Sequence, residues 1–186
     1  MAGEAGRRGA EVTLIAGPTT AAAPAVREIV HVRGAAEMHG AVLHHAEHAD
    51  VVIMAAAVAD YTPERRAVQK ITKRDDELTV VLKKTPDILA DLGARRAASG
   101  RGPLLIGFAA ETENVVARAA AKREAKQVDL IVANDVSRED AGFEVDTNAV
   151  TIVGPDGSAT LPLQPKSRVA ITILDRIEGL LLKVPR

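Results

Sequence analysis

Short apolar runs recur along the chain, and between them lie segments whose apolar residues return every three or four positions. The runs are EVTLIA (11–16), EIVHV (28–32), VVIMAAA (51–57), LLIGFAA (104–110) and DLIVA (129–133). Their apolar character is continuous rather than alternating, as in strands covered on both faces, so they predict a mostly parallel sheet. Helices are predicted at AAEMHGAVLHHAEHA (35–49), PDILADLGARRAA (86–98) and ETENVVARAAAKREAKQ (111–127). Strands alternating with helices in this way imply a Rossmann-like α/β domain with helices flanking the sheet.

The pattern changes at both ends and once in the middle. After residue 140, FEVDTNAVTIVGPDGSATLPL reads as two strands joined by a Gly-Pro-Asp-Gly turn, with a helix near 167–180 behind them. This predicts a C-terminal antiparallel hairpin. The stretch KITKRDDELTVVLK (70–83) carries alternating residues after a charged turn and predicts a surface hairpin or flap beyond Asp60. At the start, MAGEAGRRG reads as the last turns of a helix ending at Gly9, whereas a parallel α/β domain usually opens with a strand and a phosphate-facing turn. The expectation is one domain over 1–186, incomplete at its N-terminus, with the first strand and its anion loop missing and two strand edges left open.

Composition narrows the function. The chain has 186 residues, 47% hydrophobic but only 2% aromatic, which suits a single core of aliphatic side chains and alanine. Twenty-four basic against twenty-five acidic residues leave a formal charge of −1, so no overall field favours nucleic acid or an anionic membrane. The absence of cysteine removes disulfides, thiolate metal sites and cysteine nucleophiles. No run is long enough for a membrane span and no signal peptide is recognisable, so a cytoplasmic protein is expected.

Ligands of open α/β sheets bind beyond the carboxyl ends of the strands, and here three strands end in polar residues. VVIMAAAVAD leads to Asp60, LLIGFAAET to Phe108, Glu111 and Thr112, and DLIVANDVS to Asn134 and Asp135. Caps and turns account for any one of these, but three together point to a site, and the small residues Ala55, Ala56, Ala57, Ala109 and Ala110 leave room beside the backbone. Cations lie close by in sequence: Lys70 in the turn KITK, Lys83 and Lys84 before TPDI, and Lys122 and Lys126 one helical turn apart. Pro86 is expected at the first position of its helix, with free amides able to meet an anion. Neither G-x-G-x-x-G nor G-x-x-x-x-G-K-[ST] is present, which excludes the standard dinucleotide and P-loop signatures. His44 and His48 in HHAEH share a helix face but lack a third ligand, so an amphipathic face is favoured over a metal site there.

In order and spacing, AAAVADY, the Lys70 turn, KKTPDIL, IGFAAET and LIVANDVS resemble phosphopantothenate–cysteine ligase, which in most bacteria is the C-terminal half of a bifunctional coenzyme A biosynthesis protein. EVTLIAGPT and DGSATLPLQPKS fit the same family, so the resemblance runs from about residue 2 to residue 180. It implies ligation of 4′-phosphopantothenate to L-cysteine through an acyl-cytidylate, with CTP as co-substrate and Mg²⁺. It also implies a homodimer, normally linked to a flavin-dependent decarboxylase that has no counterpart here. Carried over by motif, Met54, Ala55, Ala56, Asp60, Lys70, Pro86, Asp87, Ile88, Leu89, Phe108, Lys122 and Lys126 form the nucleotide site, and Lys70 is the catalytic cation on a closing flap. The metal ligands are left open. The family's glycine-rich turn and N-x-S-S-G-K-M-G loop have no counterpart in the chain. Two readings therefore stand at this point: a ligase whose activity as this chain alone is in question, and a non-catalytic or partner-dependent nucleotide-binding module.

Overall fold

A computed structural model describes residues 1–65, 67, 69–71, 77–135 and 145–183. A short helix α1 (Ala2–Arg7) leads into β1 (Thr13–Ala16) and β2 (Glu28–His31), and α2 (Ala35–Ala46) into β3 (Val51–Met54). An arm made of β4 (Tyr61–Pro63) and β5 (Leu82–Lys84) precedes α3 (Ile88–Ser99), β6 (Leu104–Glu111), α4 (Val115–Ala125) and β7 (Leu130–Asp135). The chain continues through β8 (Thr147–Gly154) and β9 (Gly157–Pro165) to α5 (Lys166–Leu181).

The central sheet has the order β3-β6-β7-β8-β9. β3, β6 and β7 run parallel, and β8 and β9 add antiparallel strands at one side, as the sequence pattern predicts. The Pro155–Asp156 turn between β8 and β9 closes at Gly157, whose φ of 113° is open only to glycine at low cost. β1 and β2 form a separate parallel pair. Both β1 and β3 are half-buried along their length, and among the described residues neither pairs with a strand on its other side.

Alternation along the inner strands sorts their side chains into two layers. Leu105, Ile131 and Ala133 face α2, α3 and α4, together with Met38, Val42, Leu89, Leu92 and Ala119. Ile106, Leu130 and Val132 face α5, where Val169, Ile173 and Ile177 return at helical spacing. Leu105 and Ile106 are both fully buried, which places β6 at the centre of the fold. Each such aliphatic side chain contributes about 1.5–3 kcal/mol by leaving water. Gly107 is required where α3 lies on this sheet: a Cβ there would stand 2.5 Å from Leu89 Cδ2 and 2.9 Å from Ile131 Cδ1.

Three expectations shift at element ends. VVIMAAA pairs only as far as Met54, so Ala55–Ala57 form an exposed segment beyond the strand. The flap is anchored by pairing of Tyr61–Pro63 with Leu82–Lys84, so Lys70 lies between the two strands of the arm, and residues 72–76 are outside the described set. The helix expected from residue 111 begins at Val115, because Glu111 completes β6 and Asn114, at φ 48°, occupies the capping position. Among the described residues no helix is long and apolar enough to cross a membrane.

Candidate active site

The carboxyl ends of β3 and β6 and the starts of the segments that follow them form one edge of the domain. Met54 ends β3 half-buried against the layer containing α2 and α3, and Ala55 and Ala56 follow exposed, with methyl groups that leave the backbone accessible. Asp60 is exposed, and its carbonyl accepts a 2.9 Å hydrogen bond from the Thr85 amide. Thr85 Oγ1 donates at 2.6 Å to the carbonyl of Ala59. Thr85 is itself buried, so these two bonds fix the turn after β3 to the residues entering α3. Met54–Asp60 and Pro86–Leu89, distant in sequence, are thereby joined.

Asp87 caps α3, whose first residue is Ile88 rather than Pro86. Asp87 Oδ1 accepts a 3.1 Å hydrogen bond from the Ala90 amide, which makes it the N-cap and leaves Pro86 outside the helix. One first-turn amide, that of Ala90, is therefore already served by a carboxylate, and Lys126 Nζ reaches that carboxylate at 2.9 Å. Partial burial opposes ionisation of Asp87, but the Lys126 ammonium, the Ala90 amide and the charge of Lys84 outweigh it and hold the carboxyl below its ordinary range. Ile88 and Leu89 are buried in the core, so only their backbone can meet a ligand.

The cations of α4 meet this edge from the other side. Lys122 and Arg123 lie in its last turn and Lys126 is the C-cap residue, an arrangement that also suits the negative end of a helix dipole. Lys122 Nζ lies 2.6 Å from Oε1 of Glu111, and Arg118 Nη1 lies 3.7 Å from Oε2. Glu111 is only 4% exposed. The sequence placed Glu111 at a strand end but not among the binding residues; a lone acid closing an apolar strand, with cations on the next helix, is the signal it carried.

Other expected residues stand apart. Phe108 packs in the layer of α5, on the face of β6 opposite to α3 and α4, so it does not share a surface with Lys122 and Lys126. Lys70 is exposed on the arm and makes no ion pair among the described residues; its neighbours Thr72 and Lys73 lie outside them. Asn134 accepts a 3.0 Å hydrogen bond from Asn148 and so ties β7 to the antiparallel strands at the rim. The side chain of Asp135 is outside the described set. His44 and His45 meet edge to face with centroids 5.1 Å apart, and among the described residues no group of three or more His, Asp or Glu could hold a metal ion. Among the described residues these side chains do not group as a protein-only Mg²⁺ site.

Comparison with known proteins agrees with this architecture. The model of the DNA/pantothenate metabolism flavoprotein C-terminal domain matches residues 1–181. The coenzyme A biosynthesis bifunctional protein CoaBC of Vibrio vulnificus is 42% identical over 175 residues, which cover 93% of this chain and 43% of that protein. The CoaBC of Bacillus subtilis is 44% identical over 174 residues, 92% of this chain and 42% of that protein. The crystal structure of the C-terminal domain of a CoaBC superimposes with a TM-score of 0.80 at 39% identity, covering 98% of this chain and 81% of that one. The chain thus spans less than half the length of these curated relatives. It belongs to the family of the DNA/pantothenate metabolism flavoprotein C-terminal domain.

Proposed function

We propose that this chain provides the CTP-dependent step that joins 4′-phosphopantothenate to L-cysteine, giving phosphopantothenoylcysteine for coenzyme A biosynthesis. Its best support is the joining of Met54–Asp60 to Pro86–Leu89 through Thr85, with Lys126 drawn onto Asp87 at the same edge. In this reading the phosphopantothenate carboxylate attacks the α-phosphate of CTP, and pyrophosphate leaves. The cysteine amine then attacks the acyl-cytidylate carbonyl, loses a proton, and expels CMP. Bound with the triphosphate, Mg²⁺ supplies charge neutralisation. The chain's own groups orient: Ala55 and Ala56 leave room for the nucleotide, backbone of Ile88 and Leu89 faces it, and Lys122 and Lys126 supply positive charge. Lys70, carried on the arm, meets charge that grows in the transition state.

The same reading places the domain in the cytoplasm as a homodimer working with a decarboxylase domain. Exposed Tyr61, Ile71, Leu78, Val80, Val81 and Leu82 on and beside the arm supply apolar surface for a second copy. Pyrophosphate release by the 186-residue chain that requires both CTP and phosphopantothenate, with cysteine-dependent product, supports the ligase. CTP protection against melting without turnover would instead identify a nucleotide-binding module, a reading favoured by the carboxylate already seated at the α3 N-terminus. No protection and no turnover would overturn both.

A further inference from the structure

Among the described residues Glu111 is the only acidic or basic side chain that is buried, and its Oε1 has no aligned hydrogen-bond donor. What faces it is charge: Lys122 Nζ at 2.6 Å from Oε1 and, one turn earlier on α4, Arg118 Nη1 at 3.7 Å from Oε2. Burying a carboxylate is costly unless cations compensate it, and here both cations come from one helix face. Lysines on exposed helix faces normally extend their ammonium into water. Lys122 does the reverse, since its side chain is 45% exposed while its head turns inward to the end of β6. We infer that Glu111 is a positioning residue: its carboxylate, fixed by the strand, holds the Lys122 ammonium at the carboxyl edge of the sheet, where the proposed nucleotide needs a cation. The placement of Lys122 stands on the geometry alone; its consequence for nucleotide affinity rests on the reading proposed above.

The pairing gives α4 a defined rotational setting against β6. Glu111 closes β6, four residues before α4 begins at Val115, so a single carboxylate at the strand end selects which helix face turns to the edge. Lys126, one turn beyond Lys122, is brought by the same setting onto Asp87.

Amine labelling of the full chain tests the placement without any nucleotide. With an acid anhydride at one pH, and digestion followed by mass spectrometry, Lys122 labels several-fold more slowly than exposed Lys83, and Glu111→Gln removes the difference. Equal rates at Lys83 and Lys122 in the unaltered chain overturn the inference. A CTP-binding cycle tests the consequence. Glu111→Gln and Lys122→Gln each weaken CTP binding about tenfold, and the double variant is no weaker than Lys122→Gln alone, as expected when one residue acts through the other. Losses that multiply show that Glu111 acts independently of Lys122 and refute the positioning role. Should Glu111→Gln not fold, Glu111→Asp takes its place in both arms, since a carboxylate shortened by one carbon keeps the charge but not the reach. A chain that binds no CTP overturns the nucleotide reading, and the labelling result then decides the placement by itself.

Discussion

Asp87 Oδ2 lies 2.9 Å from Lys126 Nζ, so the residue that caps the start of α3 also holds the end of α4. Its carboxyl is depressed below the ordinary value of 3.8, with the Lys126 ammonium, the Ala90 amide and Lys84 prevailing over the opposing effect of partial burial. A carboxyl that ionises more readily in the folded state stabilises the fold above its unfolded pKa, and that stability is lost as pH falls through the folded pKa. Asp87→Asn, which can still accept the cap bond, therefore loses below about 1 kcal/mol at neutral pH, because the pair is partly exposed and screened. Urea unfolding should show the difference between the two proteins closing as pH drops below the ordinary carboxylate range. A difference that persists unchanged at acid pH would rule out the ionised carboxylate as its source.

Thr85 carries a second expectation. Its hydroxyl donates to Ala59 O at 2.6 Å from a buried position, so Thr85→Val keeps the volume and leaves that carbonyl without its partner. The expected cost is about 1–2 kcal/mol. Because Ala59 and Thr85 both flank the arm strands, the variant also loosens the base of the arm. Hydrogen exchange should then rise first at the amides of Tyr61, Thr62 and Leu82–Lys84; uniform acceleration across β6 and β7 would place the loss elsewhere.

The division of the chain into these parts was legible wherever one kind of patterning covered a whole element. β6 and β7 are continuous apolar runs because both faces are buried, and α5 shows a clear stripe because only one is. The Gly-Pro-Asp-Gly turn announced the β8–β9 hairpin through a glycine that must take positive φ. Ends of elements were harder. Glu111 and Thr112 look like helix-capping residues in sequence, but Glu111 pairs in register with Asp135 and continues the strand. Pro86 looks like a first helical residue, but Asp87 can cap and Pro86 cannot, so the helix begins at Ile88, two residues later. The grouping of site residues depends on strand alternation, which separates Phe108 from Glu111 by an odd number of positions and so puts them on opposite faces.

Lys70 separates function from stability. It is exposed and without an ion pair among the described residues, so Lys70→Ala should leave the unfolding free energy within about 0.5 kcal/mol of the parent. If it meets the transferring phosphate, the same variant loses most CTP-dependent pyrophosphate release while retaining CTP protection against melting. Parental turnover in the variant would remove Lys70 from the proposed chemistry without disturbing the rest of the site.

Gly93 tests the packing that brings α3 and α4 together. Alanine is favoured over glycine in a helix interior by about 1 kcal/mol, so propensity alone makes Gly93→Ala stabilising. The structure opposes this: a Cβ at position 93 would stand 1.9 Å from the carbonyl oxygen of Lys126 and 3.0 Å from its carbonyl carbon. Backbone at the end of α4 must move to relieve the contact, and overpacking of this kind costs about 1–3 kcal/mol, enough to reverse the propensity gain. The displaced residue is Lys126 itself, so the ion pair to Asp87 is disturbed together with the packing. Gly93→Ala should therefore lower the melting temperature and reduce the pH dependence that Asp87 confers, two effects that Gly40→Ala, with nothing within 4 Å of its added Cβ, should not produce. A more stable Gly93→Ala protein would mean that α3 and α4 approach less closely than these distances require.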